Sequence, residues 1–175
     1  MVDLQIASGY TRDEINGMMW DFNKLGTEMG KTTQEIAAAA NDWLRAGYEG
    51  AEASKLTEAS MQLATLGMIN SADATSYLIS VLKGWKLAAN DINGVVDKLT
   101  AVDMAAAISA GDLAEAMSRA SNSAQMAGTT LDRYIGYLTT ITDVTQKSAA
   151  SVGESLKTVY SRYQNIAAGK FVAAQ

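Results

Sequence analysis

The run Ser71-Ala72-Asp73-Ala74-Thr75-Ser76-Tyr77-Leu78-Ile79-Ser80-Val81-Leu82-Lys83-Gly84-Trp85-Lys86-Leu87-Ala88-Ala89 decides the fold class. Its apolar positions 74, 77, 78, 81, 82, 85, 88 and 89 alternate steps of three and four, which lays one stripe along a helix. The same spacing recurs on both sides. Upstream it runs through Ile15, Met18, Met19, Phe22 and Leu25, through Ile36, Ala40, Trp43 and Leu44, and through Leu56, Ala59, Leu63 and Leu66. Downstream it runs through Ile92, Val95, Val96, Leu99 and Val102 and through Leu113, Met117, Ala120 and Ala124. It then continues through Leu131, Tyr134, Ile135, Leu138 and Ile141 and through Leu156, Val159, Tyr160 and Tyr163. Period-2 runs bounded by turn signals are missing. The expectation is an all-α, compact bundle of about eight helices with no sheet.

Helix boundaries carry their own chemistry. Thr11 with Glu14, Thr32 with Glu35 and Ser151 with Glu154 have capping-box spacing, in which a hydroxyl and a carboxylate satisfy two orphan amides reciprocally. Ser71, Asp91, Asp112 and Thr130 are further N-cap candidates. Gly30, Gly47, Gly67 and Gly128 each follow a periodic run, where a left-handed residue can close a helix. Starts and stops alternate every ~15–20 residues, so short connections stack neighbouring helices. The expected organisation is a flexible N-terminal edge over residues 1–10, a single α-helical domain over residues 11–167 and a flexible C-terminal edge over residues 168–175. Ala-rich faces such as Ala105, Ala106 and Ala107, or Ala114, Ala116 and Ala120, allow helices to approach closely.

Composition narrows the chemistry. The 175 residues include no His, no Cys and no Pro. Zinc sites, thiol catalysis and any His-dependent relay are therefore excluded. A metal would need an all-oxygen site, and a general base would have to be Asp, Glu, Lys or Tyr. The 19 acidic against 14 basic residues leave a net charge of −5, which disfavours nucleic acid and anionic membrane surfaces. The longest apolar stretches, residues 36–40 and 104–108, fall far short of the roughly 18 residues a membrane span needs. Residues 1–5 lack the basic and apolar regions of a secretory signal.

Several motifs tempt a chemical reading. In Gly26-Thr27-Glu28-Met29-Gly30-Lys31-Thr32-Thr33, a phosphate loop ending at Gly30-Lys31-Thr32 needs its first glycine at the position of Leu25. Gly26 comes one residue late and the segment before it is helical, so the string reads as a helix stop followed by a start. With Gly94 as sixth residue of a calcium loop, Asp91 and Asn93 fall on ligand positions. The first and twelfth positions are then Ala89 and Thr100, so the strongest ligands are missing and Asp91 reads as a cap. The acidic pairs Asp13 with Glu14, Glu49 with Glu52 and Asp112 with Glu115 lie in predicted first turns, where they favour the helix dipole. Trp43 and Trp85 fall on core stripes, unlike Trp20. Met18, Met19 and Met117 also have core spacing, which leaves Met61 and Met68 as candidates for an adaptable exposed surface. No catalytic, cofactor-binding or metal-binding residue is expected.

The order of the junctions is nevertheless specific. Leu25-Gly26 with Gly30-Lys31-Thr32-Thr33, residues 37–40, and Trp43-Leu44-Arg45-Ala46-Gly47-Tyr48 resemble the core region of phage tail tape measure proteins. The helix over residues 54–66 continues the likeness. So do Trp85-Lys86-Leu87 before residues 88–92, Val96-Asp97-Lys98-Leu99, and Asp112-Leu113-Ala114-Glu115-Ala116-Met117. The most specific piece is Gln146-Lys147-Ser148-Ala149-Ala150-Ser151-Val152-Gly153-Glu154-Ser155-Leu156-Lys157-Thr158-Val159-Tyr160-Ser161-Arg162-Tyr163. It is similar to the closing motif of that core in phages and prophages of Gram-positive bacteria. The resemblance covers about residues 8–171.

The resemblance implies a structural protein of the virion tail, not an enzyme. Such proteins run inside the growing tube, set the length at which polymerisation stops, and leave ahead of the DNA. It implies tail tube and tail assembly proteins as partners, together with self-association, and the bacterial host cytoplasm as the place of assembly. It implies no cofactor, no small-molecule substrate, no membrane span and no direct nucleic-acid contact for this segment. Family members are far longer, so this chain is expected to be a portion of a longer polypeptide. As one continuous helix 175 residues would measure roughly 260 Å, against a compact radius of gyration of ~16 Å. The caps and glycine stops favour the compact form in isolation. Two other readings remain open at this point: a non-catalytic helical adaptor or scaffold that binds partner helices, and a carboxylate enzyme.

Overall fold

The computed structural model describes residue 9 and residues 11–168, with residues 12 and 14 described by their backbone alone. Among these residues lie eight α-helices and no strand. They are α1 (Arg12–Met29), α2 (Thr33–Arg45), α3 (Gly50–Leu66), α4 (Ser71–Trp85), α5 (Ile92–Ala105), α6 (Ala110–Met126), α7 (Leu131–Thr145) and α8 (Ala149–Ala167). A single 3-10 turn, Ala89–Asp91, precedes α5. The all-α expectation holds, and so does the number of helices. The expected flexible edges fall outside the described residues except at residues 9 and 168, and the Glu14 half of the Thr11 capping box also lies outside them.

Five helices, α2, α4, α6, α7 and α8, start at a short polar side chain that accepts an amide of the first turn, whereas Glu49 before α3 and Asp91 before α5 make no such bond. Thr32 forms the full capping box: its Oγ1 accepts the Glu35 amide at 3.2 Å, and the Glu35 carboxylate accepts the Thr32 amide at 2.9 Å. Thr130 caps α7 as expected, accepting the Arg133 amide. Three expected caps are displaced. Asn70 caps α4 in place of Ser71, which is already helical and buried. Ser109 caps α6, and Asp112 takes the acidic third position, bonded to the Ser109 hydroxyl at 2.8 Å. Ser148 caps α8 one turn before the expected Ser151 because Ala149 and Val152 extend its apolar face upstream. Glu154 is left to pair with Lys157. Asp91 closes the 3-10 turn, accepting the Ala88 amide at 3.0 Å.

Five helix ends share one closure, in which an amide two or three residues past the end bonds back to the carbonyl five residues earlier. The pairs are Lys31 to Gly26, Tyr48 to Trp43, Ile69 to Ala64, Leu87 to Leu82 and Thr129 to Ala124, at 3.0 to 3.1 Å. Gly30, Gly47 and Gly128 supply the left-handed residue, as expected. Gly67 does not: its φ is −83°, and Met68 at φ 51° takes that role. Gly67 instead lies against Gly111, where a Cβ would come within 2.8 Å of the Gly111 nitrogen. Lys86 at φ 56° likewise ends α4, so the apolar stripe over residues 74–89 is not one helix and Ala88 is exposed.

The central rod is α6, which touches α3, α4, α5, α7 and α8, while α1 packs on α2 and α3. Small residues make that centrality possible. Ala114, Ala116 and Ala120 are fully or almost fully buried, and a Cβ on Gly153 of α8 would come within 2.6 Å of the Ala116 carbonyl oxygen. Gly84 of α4 meets Ser121 in the same way. By contrast Ala105 and Ala107 lie at the exposed end of α5 and seat no helix. Larger side chains fill the space between the rods: Trp43, Leu56, Met61, Leu78, Leu99, Leu113 and Met117 are all fully buried. Each stabilises by roughly 1.5–3 kcal/mol relative to exposure. The expected stripe on α8 departs from this pattern. It docks through Ala149, Val152 and Gly153, which leaves Val159 and Tyr163 both 58% exposed.

Candidate functional site

The strings that suggested chemistry are occupied by the helix framework. Gly26 lies inside α1 with its carbonyl bonded to the Lys31 amide, and Thr32 caps α2, so residues 26–33 form a stop and a start around Gly30 at φ 66°. Asp91 is used in its own turn, and Asn93 and Gly94 sit exposed on α5. Glu49 and Glu52 open α3, and Glu115 pairs with Arg119 one turn along α6. The Glu35 carboxyl has a shifted titration. Hydrogen bonds from the Thr32 amide and hydroxyl hold it below the usual range, the direction of a capping ligand and opposite to that of a general acid. No group of three or more acidic side chains among the described residues could hold a metal ion.

Buried polar groups are used for packing. The Trp43 indole donates to Ser60 Oγ at 2.9 Å, and Ser60 donates onward to the Leu56 carbonyl. Thr57, Thr75 and Ser121 each bond a carbonyl one turn back. Tyr134 is fully buried between Trp85 and Tyr160 and donates to the Ala116 carbonyl at 3.3 Å. Burial, then the neighbouring Tyr160, pushes its phenol pKa strongly up, so it serves as a neutral donor and not as a base. Lys83 reaches from α4 to the Ala46 carbonyl at the end of α2 and lies 5.7 Å from the Tyr48 ring centre. It thereby satisfies an orphan helix carbonyl from a neighbouring rod.

What remains is surface. Between α1 and α3 runs a cleft of about 520 Å³, with Met18, Phe22 and Leu25 on one wall and Asp21, Lys24, Glu28, Lys55 and Glu58 among its lining. A smaller groove of about 230 Å³ lies between α7 and α8, lined by Ile141, Val152, Leu156 and Val159 with Lys147 beside them. Trp20 is 70% exposed, off the core stripe as its spacing indicates. Of the two singled-out methionines, Met61 is fully buried and Met68 is 87% exposed. Periodicity misses the exposed face of α8, because an apolar stripe reads the same whether or not a neighbour covers it. No helix among the described residues is long and apolar enough to cross a membrane.

This arrangement of capped rods and apolar clefts suits packing against other helices. No solved structure matches the chain. The family model described as phage-related minor tail protein matches residues 21–174, which takes in every helix from the middle of α1 to the end of α8. This chain belongs to the phage-related minor tail protein family.

Proposed function

We propose that this chain is a segment of a tail tape measure protein, of the type found in phages and prophages of Gram-positive bacteria. In this reading it helps set the length at which the tail tube stops growing and occupies the tube before DNA ejection. Its partners are the tube and tail assembly proteins and further copies of itself. It assembles in the host cytoplasm and ends in the virion tail. It is not catalytic: its acidic side chains serve helix starts and surface pairs. The observation that carries the reading is the family match over residues 21–174. The ordered junction motifs from Leu25 to Tyr163 add the finer resemblance.

Residues 11–167 as a continuous helix would span roughly 235 Å, whereas the folded bundle contributes a small fraction of that. The test is an in-frame deletion of this segment in the phage, with tail lengths measured by electron microscopy. The expected result is uniform tails slightly shorter than the parent's. Tails of unchanged length would overturn the length-setting role. Shortening close to the helical contour would overturn the compact form inside the tube.

A further inference from the structure

The break between α7 and α8 is built differently from the five closed helix ends. After α1, α2 and α6 the left-handed residue is a glycine. After α3 and α4 it is Met68 or Lys86, and the next residue, Ile69 or Leu87, packs against the core. All five carry the bond back across five residues. At Gln146 none of this holds. Gln146 is left-handed at φ 56°, a conformation that strains a residue with a Cβ. Its amide bonds the Thr142 carbonyl at 2.9 Å, the step a continuing helix would make. Residues 143–148 are all exposed, so none of their side chains anchors the turn in the core. Residues 137–152 contain neither glycine nor proline, and Gln146, Lys147, Ala149 and Ala150 are good helix formers.

What bends the pair is its seat on α6. The Ala116 carbonyl accepts the Tyr134 hydroxyl from α7, and Gly153 of α8 lies so close to the same oxygen that a Cβ has no room. Tyr134 also packs on Tyr160 across the hairpin, with ring centres 6.1 Å apart. The bend is therefore held by contacts remote from the turn, while the turn itself favours straightening. We propose that Gln146 is a hinge. When α8 leaves α6, α7 keeps its seat and the two helices join into one over residues 131–167, roughly 55 Å long. Joining satisfies the amides and carbonyls that the break orphans and releases Gln146 from its left-handed conformation, with loss of the Ser148 cap. The glycine breaks at residues 30, 47 and 128 stay bent, because glycine both accepts the left-handed position and weakens a helix. The molecule then lengthens at one joint, a property that does not rest on the tail-length role.

The chain has no cysteine, so Arg133→Cys and Arg162→Cys place spin labels at exposed positions of α7 and α8 alone. Pulsed electron spin resonance then reads the distance between them in the whole chain. In the labelled parent it is short, as the Tyr134–Tyr160 contact requires. In Gly153→Leu, which wedges α8 off α6, a sharp distance of roughly 45 Å is expected. Adding Gln146→Gly is expected to lower the ratio of long to short distances about fivefold or more, and Gln146→Ala to preserve or raise it. Gly153→Ala is a milder wedge and is expected to give the same order among the residue-146 variants, should Gly153→Leu melt the bundle. A distance that stays short in both wedge variants, or a spread of distances indifferent to Gln146→Gly, would overturn the hinge.

Discussion

Trp43 and Trp85 sit in the last turns of α2 and α4, yet their polar ends have different fates. The Trp43 indole donates to Ser60, whereas the Trp85 Nε1, in a residue only 7% exposed, has no partner. Trp43→Phe removes a hydrogen bond and leaves space at a fully buried site, so it is expected to cost about 1–3 kcal/mol. Trp85→Phe removes an unmatched donor and is expected to cost less than half as much. Urea unfolding of the two variants compares them directly. Glu35 supports a pH prediction. Its folded pKa is depressed, chiefly by the Thr32 amide, so its contribution is present above the unfolded value of about 4.3 and lost as pH falls through the lower folded value. Glu35→Gln is expected to flatten the acid side of the stability profile, and Thr32→Ala to cost about 1 kcal/mol near neutrality. Thermal melts from pH 7 to pH 3 measure both.

At the level of elements, α8 is held by contact with α6 at a point where side chains are absent. A Cβ on Gly153 meets the Ala116 carbonyl oxygen, a backbone atom that cannot rotate away. Gly153→Ala is expected to destabilise by about 1–3 kcal/mol through overpacking. Gly153→Leu should detach α8 from α6. Native-state hydrogen exchange checks this: amides of residues 149–167 lose protection in Gly153→Leu, while those of α3 and α4 keep theirs. A glycine inside a predicted helix is legible in the sequence only as a weak former. The neighbouring rod that requires it at residue 153, or at residue 84, is not.

For the whole molecule, the buried cluster runs without a break from Ile15 and Phe22 on α1 to Val152 on α8. We propose on that ground that residues 11–167 fold as one cooperative domain. Tryptophan fluorescence, in which the buried Trp43 and Trp85 report α2 and α4 and the exposed Trp20 lies on α1, and far-ultraviolet circular dichroism, which reports the helices together, are expected to give coincident urea transitions. Two separated transitions would divide the chain instead.

Periodicity and punctuation in the sequence were enough to determine the helices themselves. Ile36, Trp43, Leu78, Leu113 and Tyr134 lie inward because three-and-four spacing admits one apolar face. Gly30, Gly47 and Gly128 end helices because a left-handed residue is easiest for glycine. Tertiary structure decided what those local rules leave degenerate. Several polar residues near Asn70, Ser109 and Ser148 could each cap a helix, and burial of the first turn selected among them. Met68 and Lys86 take the left-handed position after α3 and α4 although neither is a glycine. The stripe on α8 was visible as apolar, but only the placement of α6 and α7 determined that Val159 and Tyr163 face outward, since burial depends on which neighbour arrives and not on spacing along one rod.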